Sequence, residues 1–560
     1  MTNSLIDKIR SSVIGDRQLI QTSFGARPLV YADYTASGRS LSFIEDYIRH
    51  QVLPYYANTH TETSYTGAQS TALREQARDI IRSAVHASED DRVIFCGPGA
   101  TAAINKLIDI LNLRLPADLA ARYQLLEQIP QAERPVVFVG PYEHHSNELP
   151  WRESIADLEV IPLTADGLLD IGCLEQKLKA YRERKLKIGS FSAASNVTGI
   201  KTNIDSVCAL LHKHDAVSFW DYAAAAPYLA IDMNHAAKPE CAKDAVFISP
   251  HKFVGGPGTP GVLVVKKRLM TNSVPAVVGG GTVMWVTPRD HRFTPDLERR
   301  EEGGTPAIVE AIRAGLVFKL QQAVGTAVIE EREEVFIRQA LARWSRQENI
   351  EVLGSPAQAR LSIVSLRIKH HGKDLHYGFV IALLNDLFGI QARGGCSCAG
   401  PYGHSLLGMD MAYSRAMEDE LFKGQMVLRP GWVRLNFNYF IDQETFGYLV
   451  DAIALVAEYG WRLLPYYRFD TVSGTWRYQG RSMELASDLL DLDFDALPEA
   501  RDAELASSPL TEYLAMARAE LLRDDREGEC YELHLPPSAE ALRWFVLPQE
   551  AAAALSLSAA

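Results

Sequence analysis

Positive charge is what this sequence is short of. Its 57 Lys and Arg face 70 Asp and Glu, which leaves 560 residues with a net charge of −13. That balance excludes sequence-independent binding to nucleic acid or to an anionic membrane, since both need a cationic surplus. Long apolar runs are absent too, and no stretch approaches the roughly 20 residues that cross a bilayer. The first residues, MTNSLIDKIRSSVIGDRQ, carry both charge signs and have neither the basic start nor the apolar core of a secretory signal. Cysteine is scarce: seven in the chain, at positions 96, 173, 208, 241, 396, 398 and 530. An odd, scattered set excludes a disulfide framework and fits a reducing cytoplasmic setting.

What is present is ordinary in bulk, with 47% hydrophobic and 23% charged residues, the balance of a soluble globular protein. From about residue 70 the chain alternates helical and strand-like stretches. STALREQARDIIRSAVH, TAAINKLIDILN and IDSVCALLHKH have helical periodicity. Between and after them come short apolar runs: RVIF, PVVFVG, LEVIPL, IGSFSA, AVSFWD, AVFIS and GVLVVK. Near-continuous apolar strands joined by helices predict an α/β fold with a mostly parallel sheet, covered on both faces. A second, smaller α/β unit is expected after Pro306, with strands at RLSIVSLRI and WVRLNFNYF and helices at YGFVIALLNDLF and TFGYLVDAIALVAEYGWRLL. The expected organisation is an N-terminal arm over 1–30, a large domain over 31–318, a small C-terminal domain over 319–465 and an acidic extension over 466–560. The apolar residues of the extension suggest that it packs on the body.

In open α/β sheets ligands bind beyond the carboxyl ends of the strands, and these ends concentrate reactive residues. After RVIF comes Cys96-Gly97-Pro98-Gly99-Ala100-Thr101, a glycine turn opening a helix, whose backbone N–H groups suit a phosphate. No Gly-Lys-Ser/Thr follows, so it is not a P-loop. The next ends deliver Glu143-His144-His145-Ser146-Asn147, then Ser195-Asn196-Val197-Thr198-Gly199, then Asp221, then Ser249-Pro250-His251-Lys252 before a glycine-rich run. Singly, Asp221 reads as a helix cap, Lys252 as a surface lysine and His144 as a core histidine. Together they meet the needs of pyridoxal phosphate: a Schiff-base lysine, an acid for the pyridine nitrogen, a stacking ring and a phosphate cup. Lys252, Asp221, His144 and the Gly99–Thr101 turn fill those roles.

The order of these segments, with Gly304-Thr305-Pro306 and Arg393-Gly394-Gly395-Cys396-Ser397-Cys398-Ala399, resembles the class V aminotransferases of the fold type I pyridoxal phosphate enzymes. Within them it is closest to the cysteine desulfurases and to the desulfurase-like domain of molybdenum cofactor sulfurase. The resemblance runs from about Tyr31 to about Ala457. It implies that Lys252 carries the cofactor, Asp221 meets the pyridine nitrogen, and His144 stacks on the ring and relays protons. Asn196 would orient cofactor or substrate. The Gly99-Ala100-Thr101 turn, Ser249 and His251 would hold the phosphate, with Thr305 arriving from the second subunit of a homodimer beside the Gly279–Thr282 run. Arg434, and with it Arg393, would take the substrate carboxylate, a geometry that a planar guanidinium suits.

Cys398 falls where desulfurases keep the cysteine that accepts sulfur from the substrate. A thiolate there needs a neighbouring positive charge, for which Arg393, Arg434 and His404 are candidates. Cys396-x-Cys398 with His404 offers no second ligand pair, so no metal is expected. The chain departs from the desulfurase pattern in places: Cys396 and Ser397 replace a histidine pair, Ala224 a glutamine, and Ala100 a threonine. The stretch from Cys398 to Arg434 is also longer than in compact desulfurases. The expectation is a pyridoxal phosphate enzyme that cleaves the C–S bond of cysteine or a related amino acid, with a sulfur-acceptor protein as a further partner. An aminotransferase, epimerase or lyase without use of Cys398, and a silent scaffold, are the competing readings.

Overall fold

The computed structural model describes residues 2–559 apart from 60, 482, 484–487, 491, 496–503 and 527. Much of the acidic stretch singled out in the extension lies outside the described residues.

The apolar runs of the first half form one seven-stranded sheet. Its strands are β1 (Asp91–Phe95), β2 (Val136–Val139), β3 (Asp157–Val160), β4 (Lys187–Ser192), β5 (Val217–Asp221), β6 (Ala245–Ile248) and β7 (Val262–Lys266). Their order across the sheet is β1-β7-β6-β5-β4-β2-β3. Only β7 runs against its neighbours; β2, β3, β4, β5 and β6 pair in parallel. Strands β2, β4, β5 and β6 are buried along their whole length, which is why they read as unbroken apolar segments rather than alternating ones. Helices Gly99–Ile110 and Ile204–Lys213 bury the apolar face expected of them, whereas Tyr65–Ala84 buries Ser70, Arg74 and Arg78 beside Ala77 and Ile81.

The second sheet holds β8 (Ile350–Val352), β9 (Ile363–His370), β10 (Arg393–Gly395) and β11 (Trp432–Asn436), in the order β8-β9-β11-β10 and antiparallel throughout. Strand β11 is shorter than the apolar run WVRLNFNYF suggests. It stops at Asn436, whose Oδ1 turns away to accept the Tyr34 N–H at 2.8 Å. Pairing places Arg393 directly opposite Arg434.

The extension does pack on the body. Leu510, Ala517, Leu521, Phe545 and Ala551 are buried in the same apolar cluster as both sheets. Its last residues form a helix, Pro548–Ala559. Among the described residues no helix is long and apolar enough to cross a membrane.

Candidate active site

Because β1, β2, β4, β5 and β6 all point the same way, the segments that follow them converge at one end of the sheet. They meet there in a cavity of about 600 Å³ lined by Thr101, His144, Asp221, Lys252, Cys398 and Arg434, among others. Gly99, Ala100, Asn196, Ser249, His251 and Arg393 line it too. Thr305 and the Gly279–Thr282 run, expected to act across a subunit boundary, and His404 lie outside this lining; Thr305 stands apart on the surface. It is exposed, and its hydroxyl accepts from Asn58 Nδ2 at 3.4 Å.

One end of the cavity is built for an anion. The helix Gly99–Ile110 starts inside the glycine turn, so its first N–H groups and its dipole face the space. The Ala100 N–H donates to Ser249 Oγ at 2.8 Å, which ties the turn to the segment after β6. Thr101 Oγ1 and Ser146 Oγ share a hydrogen bond of 2.6 Å. Gly99 has φ +57°, and a Cβ there would stand 2.9 Å from Ser249 Oγ. Gly99→Ala should therefore both strain the turn, by about 1–2 kcal/mol, and push Ser249 aside. The expected result is an affinity for pyridoxal phosphate lower by about tenfold, read by titrating the apoprotein.

Deeper in, Asp221 ends β5 fully enclosed, with Oδ1 accepting the Ala223 N–H at 2.7 Å. Burial raises its pKa, opposed by that N–H and by the Lys252 amine. Lys252 closes the short turn Pro250–Lys252. Burial of its amine, with Arg434 and Arg393 adding repulsion and Asp221 and Asp33 opposing them, brings its pKa down to about 8. A good fraction of such an amine is neutral near pH 7.5, and the neutral amine is the nucleophile. His144 is held as a neutral ring: its Nδ1 accepts the Ser146 N–H at 3.1 Å, leaving the proton on Nε2. Burial, with Lys252 next, pushes its pKa down to about 3. A strand-end amine, an enclosed carboxylate, a neutral imidazole and a helix N-terminus around one cavity fit pyridoxal phosphate.

The opposite wall carries two arginines and a thiol. Arg434, buried in β11, donates through Nη2 to Asp33 Oδ1 at 3.1 Å and through Nη1 to the Asn196 carbonyl at 3.1 Å. Arg393 donates through Nε to the other oxygen of Asp33 at 3.0 Å, while most of its side chain stays exposed. Cys398 is exposed in the loop between β10 and the helix Gly400–Leu407. Ser397 and Cys398 both take left-handed backbone, with φ +55° and +54°. Side chains on three other segments hold that conformation. Asn196 Nδ2 donates to the Ser397 carbonyl at 2.8 Å, and Trp432 Nε1 to Ser397 Oγ at 3.1 Å. His145 Nε2 accepts the Gly400 N–H at 2.9 Å, and the His145 N–H donates to the Cys398 carbonyl at 2.8 Å. His404 is not at the thiol: its ring bonds to the Gly400 carbonyl and to Ser414 Oγ. Arg393 and Arg434, of the cations expected to serve the thiol, do share the cavity with Cys398, as does Lys252.

Two residues that position the site escape a reading of the sequence. Asp33 bridges both arginines, and it follows an apolar run (Leu29-Val30-Tyr31-Ala32) just as Asp221 does; that pattern before residue 70 is the signal that finds it. His145 stands next to His144 in Glu-His-His-Ser-Asn, and only the fold shows that one faces the cavity and the other the Cys398 loop. Glu143 of the same motif is buried away from the cavity, accepting from Ser192 N at 2.9 Å and Asn147 Nδ2 at 2.7 Å. Burial raises it to about 7.

Comparison with known proteins identifies the family. The family model for class-V aminotransferases matches residues 30–417. A "Probable cysteine desulfurase" of Halalkalibacterium halodurans is 31% identical over 382 residues, 67% of this chain and 85% of that protein. One from Staphylococcus aureus is 28% identical over 399 residues, 70% of this chain and 88% of that protein. Among solved structures, the apo cysteine desulfurase of Thermococcus onnurineus NA1 superposes with a TM-score of 0.61 at 22% identity, covering 77% of this chain and 95% of that one. The cysteine desulfurase CsdA of Escherichia coli gives 0.59 at 20% identity, covering 76% and 94%. The structural likeness carries the fold, which is the α/β arrangement that the motifs imply.

Proposed function

Since the chain belongs to the class V aminotransferase family of pyridoxal phosphate-dependent enzymes, we propose that it cleaves the C–S bond of cysteine, leaving the sulfur on Cys398 and releasing alanine. The observation that carries this reading is the Cys398 thiol in the same cavity as Lys252, Asp221 and His144, with Arg393 and Arg434 beside it. Bound there, the cofactor would draw electrons away from the substrate's Cα. Lys252 would be the amine that holds it, and Asp221 would meet its pyridine nitrogen. The Gly99–Thr101 turn, Ser249 and His251 would enclose its phosphate.

Arg434 takes the substrate carboxylate, its guanidinium aimed by Asp33 and by the Asn196 carbonyl. The neutral His144 ring is poised to stack and to pass a proton through Nε2. The Cys398 thiolate attacks the substrate sulfur: an S–S bond forms as the C–S bond breaks, and the carbon keeps the bonding pair and takes up a proton. The outer sulfur then passes to an acceptor thiol on another protein, which restores Cys398. Its exposure at the cavity mouth leaves room for that exchange. Seven free thiols suit a reducing cytoplasmic setting.

A second copy of the chain would bring its own Thr305 to this phosphate end. Exposed Met284, Trp285 and Val286, together with Val277 and Val278 near Thr305, are the surface such a homodimer would cover. Sedimentation should give twice the chain mass. The function itself is tested with the holoenzyme and L-cysteine. Equal amounts of alanine and of reducible sulfur support it; pyruvate, a keto acid or the D-enantiomer in place of alanine overturns it.

The amine makes a pH-dependent prediction. In the apoprotein the neutral form of Lys252 captures the aldehyde, so the rate of capture should rise with pH and level off above about 8, well below an ordinary lysine at about 10.4. Absorbance growth after mixing apoprotein with cofactor across pH 6 to 10 checks this.

A further inference from the structure

The match to the Thermococcus enzyme covers 95% of that chain but only 77% of this one, so this protein carries structure beyond the shared fold. Two described parts of its C-terminal extension, around Trp476 and around Trp544, meet behind the strands that bear Arg393 and Arg434. His376, buried at the start of helix Tyr377–Phe388, is the meeting point. Its Nδ1 accepts the Gly378 N–H at 3.0 Å and Trp476 Nε1–H of the extension at 3.1 Å, so its Nε2–H donates to the Val427 carbonyl at 3.1 Å. Trp544, near the chain's end, lies against the same ring at 5.3 Å and 24°, and its Nε1–H donates to the Leu428 carbonyl at 2.8 Å. The backbone around it is tied as well, with the Val546 N–H donating to the Asp374 carbonyl at 2.9 Å.

Those grips bear on the site through glycines. Tyr377 stacks on His376 at 4.6 Å. On its other side the ring lies so close to β10 and β11 that a Cβ at Gly394 would stand 2.6 Å from Tyr377 Cδ2. One at Gly431 would stand 2.8 Å from Tyr377 Cε1 and 2.7 Å from Gly395 Cα. Val427, held by His376, and Leu428, held by Trp544, lead within a few residues into β11 and Arg434. Gly394 and Gly395 lead directly into the Cys398 loop. Close packing transmits displacement rather than absorbing it.

We propose that the extension is an intramolecular clamp, in which Trp544 and Trp476 act through His376 and Tyr377 as positioning residues for Arg393, Arg434 and the Cys398 loop. The proposal rests on the desulfurase reading for its kinetic consequence but not for its chemical one. A placement error of about 1 Å costs up to a hundredfold in rate, so a loosened clamp acts on the reaction without touching substrate.

The test compares Trp544→Ala and Trp544→Phe with Leu521→Ala, a deletion on the buried face of the extension helix Leu510–Leu522, outside the contacts of His376 and Trp544, all in the full-length holoenzyme. Two quantities are read: the rate at which iodoacetamide alkylates Cys398, followed by peptide mass spectrometry with Cys530 as internal reference, and kcat and KM for cysteine. Trp544→Ala should alter Cys398 alkylation about tenfold and lower kcat about tenfold, with the cofactor absorbance kept. Trp544→Phe keeps the ring but loses the bond to Leu428, and should fall about midway. Should Trp544→Ala fail to fold, the Trp544→Phe comparison decides alone. Alkylation within twofold of wild type in the Trp544 variants, or the same change in Leu521→Ala, overturns the clamp. A wild-type protein without cysteine turnover would sink the functional reading while leaving the alkylation comparison intact.

Discussion

Lys252→Ala is expected to abolish turnover, with kcat/KM lower by about 10⁴-fold or more, the scale seen when an essential nucleophile is removed. The protein should also lose its yellow absorbance after gel filtration. Three features of the site make the effect so large. The amine sits on a two-way constrained turn, between β6 and the glycine run, and among the described residues no other lysine lines the same cavity. Its pKa near 8 comes from the enclosure itself, so an amine supplied in buffer cannot inherit it. The carboxylate of Asp221 and the anion turn at Gly99–Thr101 would still bind the cofactor, but without a covalent anchor. Lys252→Ala should therefore release it on dialysis, whereas borohydride should fix it to the wild-type protein at Lys252. A variant that keeps its colour and its turnover would show that the cavity works by another amine.

The half of this cavity built from the sheet's strand ends was legible in the sequence for a physical reason. Strands buried on both faces become unbroken apolar runs, so their carboxyl ends can be located, and in a parallel sheet those ends share one side. His144, Asn196, Asp221 and Lys252 fall together from that rule alone. The rule does not give strand direction, and β7 runs against its neighbours although GVLVVK looks like the rest. Nor does it give the wall opposite. Asp33 and Arg393 meet Arg434 only because β10 pairs with β11 and residues 30–31 pair with 390–391, the latter some 360 residues apart, contacts that no local pattern encodes. The left-handed Ser397 and Cys398 are similar: neither is glycine, and the conformation exists because Asn196, His145 and Trp432 hold it from elsewhere. The grip of the extension on His376 is invisible for the same reason, since a tryptophan near a chain end reads as one more core residue.

Cys398→Ala should separate sulfur transfer from everything else that the site does. The substitution removes a side chain that is exposed at the cavity mouth and leaves its backbone carbonyl bonded to His145, so the loop and the cofactor should be kept. Lys252, His144 and Arg434 are untouched, and cysteine should still bind and shift the cofactor's absorbance. What is lost is the acceptor for sulfur. Alanine production from cysteine should fall by about 10³-fold or more, on the scale of removing a catalytic nucleophile, and no persulfide should appear on the protein by mass spectrometry. The contrast with Cys396→Ala decides whether the effect is specific. Cys396 lies two residues away on the same loop, and its loss should leave turnover within about twofold. Equal loss in both variants would place the effect in the loop rather than in the thiol. Unchanged turnover in Cys398→Ala would mean that the enzyme moves protons or amino groups and has no use for sulfur at this position. The two arginines would then serve only the carboxylate, and Asp33, which divides its two oxygens between them, would be tuning substrate affinity rather than the reactivity of a thiolate.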